Sequence, residues 1–106
     1  MHEVLLKAYV PEVTALPSLI VVLSERLVDI GCEAVRRPSW VVANCRNALV
    51  KASLYAHFPA TGRPAIELEG SLMVKVEGED LGEVVRLVEI VSRALEGAGA
   101  GVTLQG

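Results

Sequence analysis

Cys45 and His57 are the first pair that could do chemistry, because a thiol becomes a nucleophile when a nearby base or cation holds it as the thiolate. Their spacing argues against it. With the segment between them wound as a helix, a separation of twelve positions sets them ~18 Å apart along the axis and on different faces, so no dyad forms within one chain. Cys45 then reads as a small core residue, His57 as a surface or helix-end residue, and Cys32 as a structural strand residue. A metal site needs convergent ligands, and His2, His57, Cys32 and Cys45 have no ligand spacing, so neither a metal nor a cofactor is expected. Glu77, Glu79 and Asp80 form an acidic corner, but carboxylates ahead of a helix are already favoured by its free N–H groups. Gly97 to Gly101 follows a helical pattern rather than opening one and lacks a lysine, which excludes a phosphate loop. An enzyme is not the expected reading.

Charge is more informative. The net charge is −3, which argues against a general nucleic-acid coat, but its distribution is uneven. From Ala34 to Ile66 there is no acidic residue, while Arg36, Arg37, Arg46, Lys51, His57 and Arg63 all lie there. From Glu67 onward acidic residues dominate. Arg36, Arg37 and Trp40, with Arg46 and Lys51 further along, are the candidate nucleic-acid or anion contacts. Paired guanidinium groups beside an aromatic ring suit phosphate contact combined with base stacking.

The elements that must position these residues hinge on Ser39 to Phe58. Wound at 100° per residue, the segment gathers Val41, Val42, Cys45, Ala48, Leu49, Ala52, Tyr55 and Ala56 into one apolar arc, with Asn44, Arg46, Asn47, Lys51, Ser53 and His57 outside it. Ser39 after Pro38 and the closing Pro59 punctuate a helix. A strand reading stays open, because Ala48, Val50, Ala52, Leu54, Ala56 and Phe58 also alternate. Before this segment, Glu3 to Val10 alternates as a strand. Leu16, Leu19, Ile20, Leu23, Leu27 and Ile30 make a helical stripe stopped by Gly31, and Cys32 to Arg37 reads as a second strand, parallel to the first. After it, Pro59 to Pro64 is turn-rich, and Ala65 to Glu77 is expected to be a hairpin with a three-residue loop or bulge at Glu69 to Ser71. Asp80 and Glu83 cap a helix with Leu81, Val84, Val85, Val88, Val91 and Leu95 as its core stripe, and Val102 to Leu104 forms a short edge strand. Leu87, Ile90 and Ala94 make a second apolar strip, the candidate surface for self-association or a protein partner.

With 106 residues, 52% hydrophobic and 22% charged, the chain makes one domain. The expected fold is a two-layer α/β sandwich ordered β-α-β-α-β-β-α-(β), with helices on one face of a mixed sheet. The alternative, if Ser39 to Phe58 is extended, is a ferredoxin-like α+β sandwich with an extra hairpin. No apolar run reaches a membrane-span length, Met1 to Val10 is unlike a signal peptide, and two cysteines at this spacing fit a reduced thiol pair. A cytoplasmic location is expected.

Two local patterns carry resemblances. The order over Glu3 to Glu77, with Gly31 ending a helix and Arg36-Arg37-Pro38-Ser39 leading into the next, resembles the Alba family of small dimeric nucleic-acid-binding proteins. That resemblance implies nucleic-acid contact by Arg36 and Arg37. The lysines expected in that family before the first helix are absent from Pro11 to Pro17, and its basic hairpin arm is short and acidic here. Ile66 to Val91 is similar to the hairpin and helix of the small dimerising subunit of the KEOPS tRNA-modification complex, a non-enzymatic scaffold. The expected function is a small self-associating binding module, favoured as a homodimer, for RNA or DNA. The alternative is a protein–protein scaffold subunit with no nucleic-acid contact.

Overall fold

Hairpins dominate the observed architecture. The computed structural model describes residues 1–57 and 69–105. Strand β1 (His2–Tyr9) leads through a 3-10 turn (Val13–Ala15) to helix α1 (Leu16–Asp29), then come β2 (Glu33–Arg37), β3 (Trp40–Cys45), β4 (Ala48–His57), β5 (Glu69–Gly78), helix α2 (Leu81–Gly97) and β6 (Gly101–Gln105). The strands form one six-stranded sheet in the order β2-β3-β4-β5-β1-β6, and every neighbouring pair is antiparallel. Both helices pack on the same side, giving an α+β sandwich of two layers around one core.

Alternation decides which side each strand residue takes. Leu6, Ala8, Val41, Ala43, Ala48, Val50, Ala52, Leu72, Val74 and Val76 are buried against the helices. From above, α1 contributes Leu16, Leu19, Ile20, Leu23 and Leu27, and α2 contributes Val84, Leu87, Val91 and Leu95. The alanines on β3 and β4 leave room for the leucines of α1, which rests on those strands. Gly31, at φ +98°, lets the chain leave α1 in a left-handed conformation that a Cβ would disfavour. Gly78 serves close approach instead, since a Cβ there would lie 2.8 Å from the Asn47 carbonyl oxygen.

Several expectations are corrected. The helix expected over Ser39 to Phe58 is a hairpin, β3 and β4, joined at Arg46-Asn47. Its apolar arc exists on paper, but the period of two in Val41, Ala43, Cys45 and in Ala48, Val50, Ala52 lets the same residues bury against α1 as strands. The strand order with a second helix after β2 is therefore not observed, and the sheet is antiparallel rather than mixed. β2 is not a parallel neighbour of β1 but an edge strand, paired among the described strands only with β3. The loop or bulge expected at Glu69 to Ser71 is instead continuous strand, with Tyr55 opposite Ser71 and Ala56 opposite Gly70. The expected partner strand around Ile66 and Leu68, the turn at Pro59 to Pro64 and Arg63 lie outside the described residues, as do the side chains of His57 and Glu69.

The cysteines are not a reduced pair, because Cys32 and Cys45 are joined by a disulfide. Pairing β2 with β3 brings them together: Glu33 lies opposite Asn44, so Cys32 and Cys45 flank that pair with their Cα atoms 4.5 Å apart. On α2 the core stripe turns toward Leu87, and Leu81 and Val85, expected inside, are each 53% exposed. Asp80 caps α2 as expected, its Oδ1 accepting from the Gly82 N–H at 3.1 Å. No helix among the described residues is long and apolar enough to cross a membrane.

Candidate functional site

The sheet face turned away from the helices carries the side chains with binding potential. Antiparallel register lines them up in rows across the strands. One row runs Val35, Val42, Lys51, Lys75, Leu5 and Gln105. The next runs Arg37, Trp40, Ser53, Met73, Lys7 and Thr103. Beyond them Tyr55 lies opposite Ser71. Tyr9 follows Ala8, whose partner is Leu72, and so stands on the other side of Ser71.

These rows produce an aromatic track. Tyr55 is two residues along β4 from Ser53, the partner of Trp40, which makes Trp40 and Tyr55 diagonal neighbours about 7–8 Å apart. Two strand spacings separate Tyr55 from Tyr9, or about 10 Å. Each ring is well exposed, Trp40 at 37%, Tyr9 at 42% and Tyr55 at 52%. Cations accompany two of them. The Arg37 guanidinium lies 5.8 Å from the centre of the Trp40 ring and the Lys7 ammonium 5.0 Å from that of Tyr9, both within cation–π range. Between the tracks is a groove of about 510 Å³ lined by residues that include Leu5, Lys7, Lys51, Ser53, Tyr55, Met73 and Lys75.

Lys51 and Lys75 face each other directly across β4 and β5, an arrangement of like charges that costs stability unless a counter-charge intervenes. Glu77 supplies it, 3.4 Å from Lys51 and 3.6 Å from Lys75, and Glu3 lies 3.4 Å from Lys75. Hydrogen bonding and attraction from Glu3, then attraction from Glu77, raise the Lys75 pKa above its ordinary value. The Lys75 ammonium therefore stays charged through the neutral range.

Of the contacts expected from sequence, the fold gathers Arg37, Trp40 and Lys51 on this face. Arg36 alternates with Arg37 and, opposite Val41, points to the helix side of edge strand β2. Arg46 sits in the β3–β4 turn at φ 60°, six residues from Trp40 along the chain and so about 20 Å away. There, with Ile30, Gly31, Cys32, Cys45, Glu83 and Arg86, it lines a separate cavity of about 330 Å³. The strip expected to mediate association is not a surface. Leu87 is fully buried in the core, and Ile90 and Ala94 are half-buried. The period of α2 fits Leu87 as well as Val88 at its centre, and the contacts with α1 and the sheet favour Leu87.

Lys7, Tyr9, Tyr55 and Lys75 escaped the sequence reading. They lie far apart in the chain, and only β1 and β5 standing beside β4 brings them to one face. The available signal was the polar or aromatic half of each alternating strand, Leu5-Lys7-Tyr9 and Met73-Lys75-Glu77. No protein-family model matches the chain, and no curated protein is significantly similar to it.

Proposed function

We propose that the open sheet face binds single-stranded nucleic acid and that the protein is a small binding module rather than an enzyme. Bases stack on Trp40, Tyr55 and Tyr9, and phosphates meet Arg37, Lys7, Lys51 and Lys75. The observation that carries this reading is the exposed aromatic track, with Arg37 beside Trp40 and Lys7 beside Tyr9. The open face adds Lys51 and Lys75, partly offset by Glu77 and Glu3, while the helices carry Glu25, Asp29, Glu83, Glu89 and Glu96 against Arg26, Arg86 and Arg93. Cations outnumber carboxylates on the sheet face and carboxylates outnumber cations on the helices, which favours an anionic strand on the sheet side. A sheet presenting aromatic rings suits unpaired bases, since every base has a face to stack.

The connectivity β1-α1-β4-β5-α2-β6 within the order β4-β5-β1-β6 supports a ferredoxin-like sandwich, to which β2 and β3 add a hairpin on the β4 side. Arg37 and Trp40 belong to that added hairpin. It widens the open face on the side that carries the largest ring.

Trp40 is the only tryptophan, so its fluorescence reports on the face directly. Titration with a short single-stranded RNA or DNA is expected to quench it, with affinity falling as salt rises at a slope of about −2 to −3 for three or four phosphate contacts. Tyr55→Ala should weaken binding by ~1–3 kcal/mol. Lys7→Ala with Lys51→Ala should flatten the salt slope by roughly 0.7 per contact. Arg36→Ala should change nothing, because it lies on the other side. Unchanged fluorescence and no retention of either oligonucleotide would overturn the reading in favour of a protein–protein scaffold.

A further inference from the structure

The sheet has two free edges among its described strands, and they are built differently. β2 is guarded by Glu33, Arg36 and Arg37 and is followed at once by Pro38. The Arg37 guanidinium also donates to the Arg36 carbonyl at 2.9 Å, occupying a backbone acceptor. Charge and proline are the means by which edge strands avoid pairing with other chains. β6, Gly-Val-Thr-Leu-Gln, has neither, and it pairs only with β1.

Beside β6 the surface is apolar. Leu104 is 67% exposed on the helix side of the sheet, where its partner Leu6 is buried. On α2, Glu83 and Arg86 line the cavity shared with α1 and the β3–β4 turn. At 100° per residue, the exposed Leu81 and Val85 fall on the opposite flank, which faces the β6 side, with Ser92 between them and Glu89 and Glu96 toward solvent. An uncharged edge and the exposed Leu104, Val85 and Leu81 thus lie along one margin of the molecule.

We propose that β6 is a dimerisation edge whose occupant is β6 of a second copy of this chain. A two-fold axis perpendicular to the sheet makes two identical edge strands antiparallel without further adjustment. Centred on Thr103, the pairing sets the two threonines together and puts Val102 beside the partner's Leu104, so that the exposed leucines are covered. Along the paired strands no like charges meet, in contrast to a pairing through β2 that would have to displace Arg37 from its own backbone. The axis also fixes the outcome for the rest of the molecule. Both helix layers fall on one side, both open faces fall on the other, and the two six-stranded sheets become one continuous surface. A five-residue strand with a few apolar side chains is a small contact, so the dimer belongs to the weak, exchanging class.

The experiment is sedimentation equilibrium of the whole chain, without nucleic acid, from ~10 μM to ~1 mM, a span bracketing a weak dissociation constant. The expected result is a mass rising from that of the 11.3 kDa monomer toward twice that value. Leu104→Lys, and separately Val85→Lys, should weaken association at least tenfold, with unchanged circular dichroism as the check on folding. Val35→Lys on β2 should leave it intact. Thr103→Cys, adjacent to the axis, should cross-link into a covalent dimer under mild oxidation, and Val35→Cys should not. A wild-type chain that stays monomeric throughout overturns the proposal, as do a dimer indifferent to Leu104→Lys, one dissolved by Val35→Lys, and masses growing past the dimer. None of these results depends on whether the open face binds nucleic acid.

Discussion

Arg86 reaches back one turn of α2 to Glu83 with two hydrogen bonds, 3.2 Å from Nε to Oε2 and 2.6 Å from Nη2 to Oε1. A bidentate guanidinium pair of this kind favours the charged carboxylate. Donation from Arg86 is the largest cause holding the Glu83 pKa below its ordinary 4.5, with the charges of Arg86 and Arg46 adding to it against a smaller effect of burial. Glu83 also stands in the first turn of the helix, where free N–H groups favour a negative charge. Because the folded value is depressed, the pair's contribution is complete above the ordinary carboxylate value and disappears as pH falls through the lowered one. Glu83→Gln should therefore be less stable than wild type in urea at pH 7, and the two midpoints should converge below about pH 4.5. A constant gap across that range would show that the carboxylate charge is not what stabilises the helix end. Sequence spacing made Glu83 legible as a capping residue for Asp80, but the side chain turns to Arg86 instead. The i,i+3 neighbour offers it a full positive charge where the cap offers a single N–H.

At the scale of the element, the turn between β3 and β4 explains why a hairpin passed for a helix. Cys45 pairs with Ala48, leaving Arg46-Asn47 as a two-residue loop. Such loops need positive φ at the first central position, which glycine supplies and which therefore marks them in sequence. Here Arg46 adopts it, at φ 60°, so the marker is missing. The alanines of β3 and β4 then read as helix formers, although their small size is what lets α1 sit on the sheet. β1, α1, β2, α2 and β6 were each legible because caps, stops and periodicity agreed at Gly31, Pro38 and Asp80. At Arg46 local preference and fold disagree. Arg46→Gly removes a left-handed side-chain cost of ~1–2 kcal/mol and adds a chain-entropy cost of about half that, so it should stabilise the protein by ~0.5–1 kcal/mol. Chemical denaturation measures this, and a loss of stability would mean that the Arg46 guanidinium contributes more beside Glu83 than its backbone costs.

For the whole molecule, the question is what keeps the added hairpin seated. β2 and β3 lie on the far side of β4 and β5 from β1, and among the described strands β2 has a neighbour on one side only. The Cys32–Cys45 disulfide joins the residue just before β2 to the last residue of β3, tying the connection from α1 to the sheet at this end. Sequence spacing could not reveal it, since a separation of 13 becomes a contact only once the intervening chain folds back as two strands. The bond closes a short loop, and in the chain-entropy account such a loop is worth ~3 kcal/mol. Cys32→Ala with Cys45→Ala should lower the unfolding free energy by ~2–3 kcal/mol, and a dithiol reductant should do the same to wild type while leaving the double variant unchanged. The location of the bond makes a second readout specific. Trp40 and Arg37 sit on the hairpin it tethers, so its loss should increase hydrogen exchange in β2 and β3 before β1, β5 and α2 respond. Uniform acceleration would place the bond's effect in the unfolded chain alone. If exchange rises in the hairpin first and Trp40 then quenches less with oligonucleotide, the disulfide is what holds that end of the binding face in position.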